Sequence, residues 1–319
     1  MTLMYYLHYP LWKVFFEELG FEFITSIPTN KVILDEGVKV TVTDACVPIK
    51  LIHGHVLELK DRVDYILIPR MVNADREKNI TFCPKFLGLP DMIRASIPDL
   101  PSIIDARVDR KSGRFYLFNA CKGIGEQFDK PFMTILRAYR KAVSALKKFE
   151  NLMEEKLLLP QEGIEVLFND SPPETESPGD LNIAVLGYPY QVYDTYISAD
   201  IVGNLRKMGV RVWSMEMVPY STLKKYAGKL KKKLFWHLSN RVIWANYHYL
   251  NQPQIDGVIH VSAFACGPDA MVDKIMELEC KQRNFPFLNI TVDEHTGEGG
   301  VLTRLEAFLD MIRLRRGGA

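Results

Sequence analysis

The stretch that most constrains this chain is residues 255–272, IDGVIHVSAFACGPDAMV. Apolar and β-branched residues run through Val258, Ile259 and Val261, small residues lead to Cys266, and Gly267, Pro268 and Asp269 open an amphipathic helix. A cysteine is thus placed between a buried strand and a helix N-terminus. The same order recurs at residues 40–59, where Val42 and Thr43 precede Cys46, Val47 and Pro48, and at residues 80–93, where Ile80 and Thr81 precede Cys83 and Pro84.

That placement has a physical meaning. In parallel α/β sheets ligands collect at the carboxyl ends of the strands, where helix N-termini present unpaired N–H groups. A thiol there has its thiolate stabilised by the helix dipole, and the thiolate is both the metal ligand and the nucleophile. Proline suits the first helical turn, which has N–H groups to spare. One such cysteine reads as a small apolar residue packed in a tight turn. Three together favour a ligand set or a reactive site.

At 319 residues the chain has room for two domains, each with its own core. Lys and Arg number 40 against 39 Asp and Glu, so no global charge favours nucleic acid. The longest apolar opening, residues 4–16, is interrupted by His8, Pro10 and Lys13 and has neither a membrane span nor a signal-peptide pattern. A cytoplasmic protein is expected, with five cysteines serving as free thiols or metal ligands in place of a disulfide framework.

The expected organisation is an α/β chain in two parts: an N-terminal domain over 1–170 carrying Cys46 and Cys83, a Pro, Ser and acid-rich linker over 171–180, and a C-terminal domain over 181–319 carrying Cys266. In the first, the spacing predicts a helix over 11–19 ending at Gly20, strands over 21–25 and 38–42, a short helix capped by Thr29 or Asn30, a helix over 49–59, a buried parallel strand over 63–69, a helix over 86–95, a short strand at 103–104 and helix from about 127 to 158. In the second, strand 181–186, helix 198–208, Gly209 and strand 210–213 form a βαβ opening, followed by helix over 224–251, the Cys266 turn, strand 287–292 and a final helix over 302–315. FFEELGFEF at 15–23 and NLRKMGVRV at 204–212 share an order of helix end, glycine and strand, which points to two similar domains related by duplication.

Other residues carry weaker signals. Cys280 falls on the apolar face of Val272, Ile275 and Met276 and is expected in the core. Cys121 follows a strand-like stretch at 115–118 and is a spare ligand candidate. The loop DEHTGEGG at 293–300 either lines a cleft or forms a capped turn ahead of the last helix. His53 and His55 have the wrong spacing for a chelate and are expected to pack on a helix, and His260 alternates within a strand and can face either layer. The basic run KKYAGKLKKK at 224–233 is a solvated face or a dock for an acidic partner, and Trp236, Trp244, Tyr247 and Tyr249 are expected in core or interface. No P-loop, strand-linked GxGxxG, HExxH or CxxC occurs.

Soft thiolates select zinc or iron–sulfur clusters. A structural zinc draws four ligands from closely spaced pairs, and no such pairs exist here, although a zinc-stabilised module stays open. A four-iron cluster on three cysteines leaves one iron open to water or substrate, and would need the two domains to face each other across a cleft.

CVPIK at 46–50 with Gly54-His55, CPKFLGLPD at 83–91, FACGPD at 264–269 and DEHTGEGGVLTRLEAFL at 293–309 together resemble the acyl-CoA dehydratase activase-related family. That family is similar to the D-component of 2-hydroxyacyl-CoA dehydratases and to double-cubane-cluster reductases. The resemblance covers nearly the whole chain. It implies two flavodoxin- or Rossmann-like three-layer domains with parallel sheets facing an interdomain cleft, and an iron–sulfur cluster, 4Fe-4S first and a double cubane as the alternative, on Cys46, Cys83 and Cys266. It also implies an ATP-dependent activase of the actin-like fold as electron donor, and a homo- or heterodimer partner. The small-molecule substrate it suggests is an acyl-CoA. Ahead of Tyr5 the family's first strand is not found, so the first sheet is expected to be incomplete or the start to lie upstream of Met1. Glu294, His295 and Glu298 are the cleft residues expected to assist a dehydration. A non-enzymatic cluster carrier or scaffold that docks the activase is the rival reading. Neither a nucleic-acid nor a membrane partner is expected.

Overall fold

A computed structural model describes residues 1–75, 80–169 and 179–317. Residues 171–178 of the expected linker lie outside the described residues. Two compact units are formed, one from Met1–Ala45, Ile49–Asn151 and Leu234–Leu238, the other from Cys46–Pro48, Leu152–Lys233 and Ser239–Ala319. The chain is α/β, and every strand pairing among the described residues is parallel.

In the first unit α1 (Tyr5–Glu18) starts earlier than expected and runs through Pro10. Burial of Tyr6, Leu11, Trp12, Phe15 and Phe16 on one side, at about 1.5–3 kcal/mol for each large side chain, offsets the roughly 3 kcal/mol that an interior proline costs. Gly20 ends the helix with φ +88, as its position predicts. Asn30 caps α2 (Lys31–Val40) by accepting from the Ile33 N–H at 3.1 Å. The predicted strand over 38–42 is therefore in large part helix. Its β-branched residues misled: Val38 and Val42 are exposed, and the buried stripe is Ile33, Leu34 and Gly37 at helical spacing.

Next come α3 (Val47–Leu59), β1 (Tyr65–Leu67) and β2 (Arg70–Asn73), then α4 (Pro84–Leu87), α5 (Leu89–Ser96), β3 (Ser102–Ile104) and β4 (Arg107–Asp109). The helices α6 (Tyr116–Gln127) and α7 (Phe132–Lys156) follow. The strand expected at 63–69 is shorter and only partly buried. β1 pairs with β3 and β2 with β4; the Ile68 and Arg70 N–H groups bond the Ile104 and Ala106 carbonyls across the break, and Pro69, which has no N–H, falls on the edge turned away from β3 and β4. Where α2 meets α3, glycine faces backbone: a Cβ on Gly54 would lie 1.9 Å from the Ile33 carbonyl oxygen, and one on Gly37 would lie 2.0 Å from that of Lys50.

Residues 21–25 do not form the predicted strand. Their exposure alternates as in a strand, with Phe21, Phe23 and Thr25 half-buried and Glu22 and Ile24 exposed. Among the described residues, however, no backbone group of residues 22–25 pairs with another backbone group. The missing ingredient is a neighbour, since extended chain becomes sheet only by pairing. These residues line a cavity of about 440 Å³ together with residues 64–69 and aromatic rings of α1, all within the first unit. β1 pairs with β3 alone among the described strands. The Ile68 N–H bonds the Ile104 carbonyl on the β3 side, so the peptide groups of the alternate residue Leu67 turn to the open edge.

The second unit contains α8 (Pro160–Asn169), β5 (Leu181–Gly187), α9 (Pro189–Val192), α10 (Ile201–Lys207), β6 (Val210–Ser214), α11 (Tyr220–Lys224), α12 (His237–Tyr249), β7 (Gly257–Ala263), α13 (Gly267–Gln282), β8 (Phe287–Val292) and α14 (Glu298–Gly317). The strands lie in the order β6-β5-β7-β8, the flavodoxin-like arrangement. β7 is buried at all seven positions, as a central parallel strand with both faces covered must be. The long helix expected over 224–251 is interrupted: the lysine run leaves α11 through a 3-10 turn, and the helix resumes only at His237. Trp244, Tyr247 and Tyr249 are buried, as expected. No helix among the described residues is long and apolar enough to cross a membrane.

Replacing Gly54 with Ala should destabilise the chain by about 1–3 kcal/mol, because the clash is with backbone that cannot rotate away. Gly123→Ala in α6, whose Cβ would meet nothing within 4 Å, should be neutral or stabilise by about 0.4–1 kcal/mol. Denaturant unfolding of the two variants checks both.

Candidate functional site

Three of the four connections at the carboxyl edge of the second unit's sheet lead from β5, β7 and β8. β5 ends at Gly187 and passes through Tyr188 into α9, β7 ends at Ala263 and passes through Cys266 into α13, and β8 ends at Val292 and passes through residues 293–297 into α14. The strand order reverses between β5 and β7, which is where open α/β sheets form a ligand crevice. The Phe264 N–H donates to the Val292 carbonyl at 2.9 Å, so the Cys266 turn and the 293–297 loop leave the sheet side by side.

Cys266 is the N-cap of α13, with Pro268 in the first turn and the thiol half-buried. Ala265 before it adopts φ +62, a left-handed conformation that costs a non-glycine residue on the order of 1 kcal/mol or more and survives only where its surroundings enforce it. Phe264 is 65% exposed. The turn is fastened from inside: the Cys266 N–H donates to the Ala263 carbonyl at 3.1 Å, and Asp269 Oδ2 accepts the Ala263 N–H at 3.1 Å. Asp269 is fully buried, and its other oxygen lies 3.4 Å from Nε2 of His260, an ion-pair distance without the alignment of a hydrogen bond. His260 Nδ1 is 3.0 Å from Asp273 Oδ1. Burial opposes charging this imidazole, but the two carboxylates outweigh burial and raise it to about 9.

Cys46 directly precedes α3, and the turn Cys46–Pro48 belongs to the same compact unit as Cys266. Cys83 is the N-cap of α4 in the first unit, with Pro84 at the first helical position. The helix behind Cys83 is a single turn, which continues after Gly88 as α5. Its position is fixed by β2: the Phe82 N–H donates to the Val72 carbonyl at 3.1 Å, while the Arg70 guanidinium reaches the Leu87 carbonyl at 2.8 Å and grips Asp91 through both oxygens at 2.7 and 3.0 Å. Arg70 holds the Asp91 carboxyl below the usual carboxylate range. In place of the strand expected before Cys83, Thr81 makes one parallel bridge to Trp236.

The remaining cysteines differ in kind. Cys121 lies inside α6, not after a strand, and Cys280 inside α13; both are fully buried, and burial pushes each thiol up to about 12. No cysteine is in a disulfide. The five thus divide into three half-exposed thiols at helix starts and two inert ones in cores.

A family described as the CoA enzyme activase uncharacterised domain matches residues 1–218, and the 2-hydroxyglutaryl-CoA dehydratase D-component matches residues 136–312. The chain belongs to this activase-related, D-component family. A search of curated proteins finds no match. In this D-component relative, Cys46 and Cys83 fall in the activase-domain match, and Cys266 with the 293–300 loop falls in the dehydratase match.

Within that loop Asp293 organises a capped turn. Its carboxylate accepts the His295 N–H at 2.9 Å and the Thr296 hydroxyl at 3.0 Å, and its own N–H donates to the Thr296 oxygen at 2.7 Å. The capped-turn reading of the loop is found, and the turn stands at the carboxyl edge of the sheet. His295 and Glu298 are exposed and Glu294 is half-buried. His53 and His55 are buried helix residues: His53 Nδ1 lies 2.7 Å from the Ile49 carbonyl, and His55 sits between Ser26 at 2.8 Å and Thr29 at 3.0 Å. Burial lowers both, His55 to about 2. Among the described residues no group of three or more His, Cys, Asp or Glu side chains is arranged to hold a metal ion.

The pair of carboxylates around His260 was missed in the sequence, although a signal existed. Asp269 and Asp273 fall on the same stripe of α13 as the buried Val272, Met276 and Cys280, and carboxylates facing a core require a cation opposite them.

In metal-free protein a thiol reagent should modify Cys46, Cys83 and Cys266 at least about a hundredfold faster than Cys121 and Cys280, whose reaction waits on opening of the core. Timed labelling read by peptide mass spectrometry tests this.

Proposed function

We propose that this D-component relative is an iron–sulfur protein that accepts low-potential electrons from an ATP-dependent activase of the actin-like fold and delivers them to a small substrate, with an acyl-CoA as the leading class. The observation that carries the reading is the division of the cysteines. Three half-exposed thiols each stand at a helix start with proline in the first turn, while Cys121 and Cys280 are buried with raised thiols. Soft donors at helix N-termini suit an iron–sulfur cluster, because the helix N–H groups favour the anionic thiolate and the cluster's negative charge. Cys46, Cys83 and Cys266 would hold it.

A 4Fe-4S cluster on three thiolates supplies one-electron chemistry at low potential and an iron with an open coordination position. The chain's own residues supply the rest. The capped turn at Asp293 fixes the loop that offers Glu294, His295 and Glu298 at the carboxyl edge beside Cys266, where we assign them to proton transfer at the substrate. Cys121 is not a spare ligand, since it is enclosed within α6. A double cubane would therefore have to draw its further thiolates from a second copy or another subunit.

Anaerobic purification with iron and sulfide determination tests the reading. Cys46→Ala, Cys83→Ala and Cys266→Ala should each lose most of the bound iron and sulfide, and Cys121→Ala should keep them. Full iron content in all three ligand variants would overturn the assignment. Cluster binding and activase association without turnover of any acyl-CoA would identify a carrier in place of an enzyme.

A further inference from the structure

Three features meet beneath Cys266 that the proposed ligand role does not require. His260 is wholly enclosed in β7, Asp269 is wholly enclosed in the first turn of α13, and Asp273, one helical turn further on, keeps about a fifth of its side chain exposed. A carboxylate with no solvent contact needs a partner that carries charge. Asp269 spends one oxygen on the Ala263 N–H and turns the other toward His260. A neutral imidazole has a single N–H and could donate toward only one of two carboxylates; the imidazolium has two. The arrangement is thus a relay of contacts, from Asp273 through His260 and Asp269 to the last residue of β7, where the Cys266 turn begins.

From outside, the turn is tied to β8 by the Phe264 N–H, which donates to the Val292 carbonyl at 2.9 Å. Phe264 is 65% exposed, and Ala265 is kept in its left-handed conformation against its intrinsic preference. The Cys266 N–H bond to Ala263 requires Ala263 to stay where Asp269 fastens it. We infer that His260 is a positioning residue for Cys266, acting through Asp269 to hold the β7 to α13 turn in the one conformation that presents the thiol. Its relevance to a cluster rests on the reading above, whereas the hold on the turn can be measured without any metal.

The groups facing His260 are few. α13 presents Asp269 and Asp273, and the residues beside it in the sheet are Leu186 of β5 and Asn289 of β8, neither of which titrates. An imidazole whose folded value lies above its unfolded value contributes its hold fully below about 6.5, and that contribution is lost as pH rises through about 9.

The test uses the full, metal-free chain carrying Cys46→Ser and Cys83→Ser, with alkylation of Cys266 measured against alkylation of Cys280. Cys280 lies on the same helix but in the core, so it reports opening of the whole α13 packing. His260→Gln should raise the Cys266 rate at neutral pH by at least about fivefold, the effect of roughly 1 kcal/mol of lost hold, with the Cys280 rate little changed. The parent protein should show the same rise between pH 8 and 10 beyond that due to thiol ionisation, and His260→Gln should lack that step. Should His260→Gln not fold, Asp273→Asn removes the partly exposed partner and should give a smaller rise of the same kind. Equal Cys266 rates in parent and variant, or Cys266 and Cys280 rates rising in proportion, would overturn the inference. If the turn loosens as expected in the test chain while reconstituted protein with all five cysteines intact takes up no iron, the positioning role stands and the cluster reading fails.

Discussion

β7 is the element on which the second unit depends. It pairs on both edges, with β5 and β8, and is buried along its whole length. Its apolar residues Val258, Ile259 and Val261 supply what such a strand normally supplies, about 1.5–3 kcal/mol each on burial. His260 does not belong to that pattern. A charged imidazole in a central strand costs several kcal/mol of desolvation before any partner is counted. It is tolerable because α13, the helix that β7 itself leads into, brings two carboxylates back to it. The strand and its own crossover helix are therefore tied twice, by apolar packing through Val272, Met276 and Cys280 and by the ion pair at Asp269 and Asp273.

What could be read in the sequence follows the same division between local and non-local causes. Gly20 and Gly209 as helix ends, Asn30 as a cap, the strands β5, β6 and β8 and the cysteine-proline helix starts are each specified within a few residues, and each is found. The failures lie where the outcome depends on something distant. Residues 38–42 look like a strand by composition, but 38–40 continue α2, because Gly37 is needed against Lys50 and Gly54 in α3. Residues 21–25 have the alternation of a strand and its solvent pattern, yet among the described residues no backbone group pairs with those of 22–25. Periodicity reports which face is buried; it does not report whether a neighbour is present.

The candidate site was legible to the same degree. The three thiols and the 293–300 loop are sequence-local features, and the structure places Cys266 and that loop next to each other through the Phe264 to Val292 hydrogen bond. Alternation within a strand that is buried on both faces carries no information about side, so it does not specify which layer His260 faces. The decisive clue lay in the helix, where two acids share a stripe with core residues. Acids on the buried stripe of α13 demand a cation opposite them, and His260 is the basic group that β7 offers.

The cysteine-proline grammar also proves less uniform than the letters suggest. Cys266 and Cys46 stand before helices of 16 and 13 residues, where the dipole at the N-terminus is fully developed. Cys83 stands before a helix of four residues. One turn of aligned peptides gives a weaker N-terminal field than several. What α4 lacks in length is supplied as rigidity: Arg70 clamps the Leu87 carbonyl at its far end and Asp91 at the start of α5, joining both helices to β2. A guanidinium that binds a carboxylate through two oxygens fixes direction as well as distance. The same sequence signature is thus supported by a long dipole and a buried ion pair at Cys266, and by a short helix held in a bidentate clamp at Cys83.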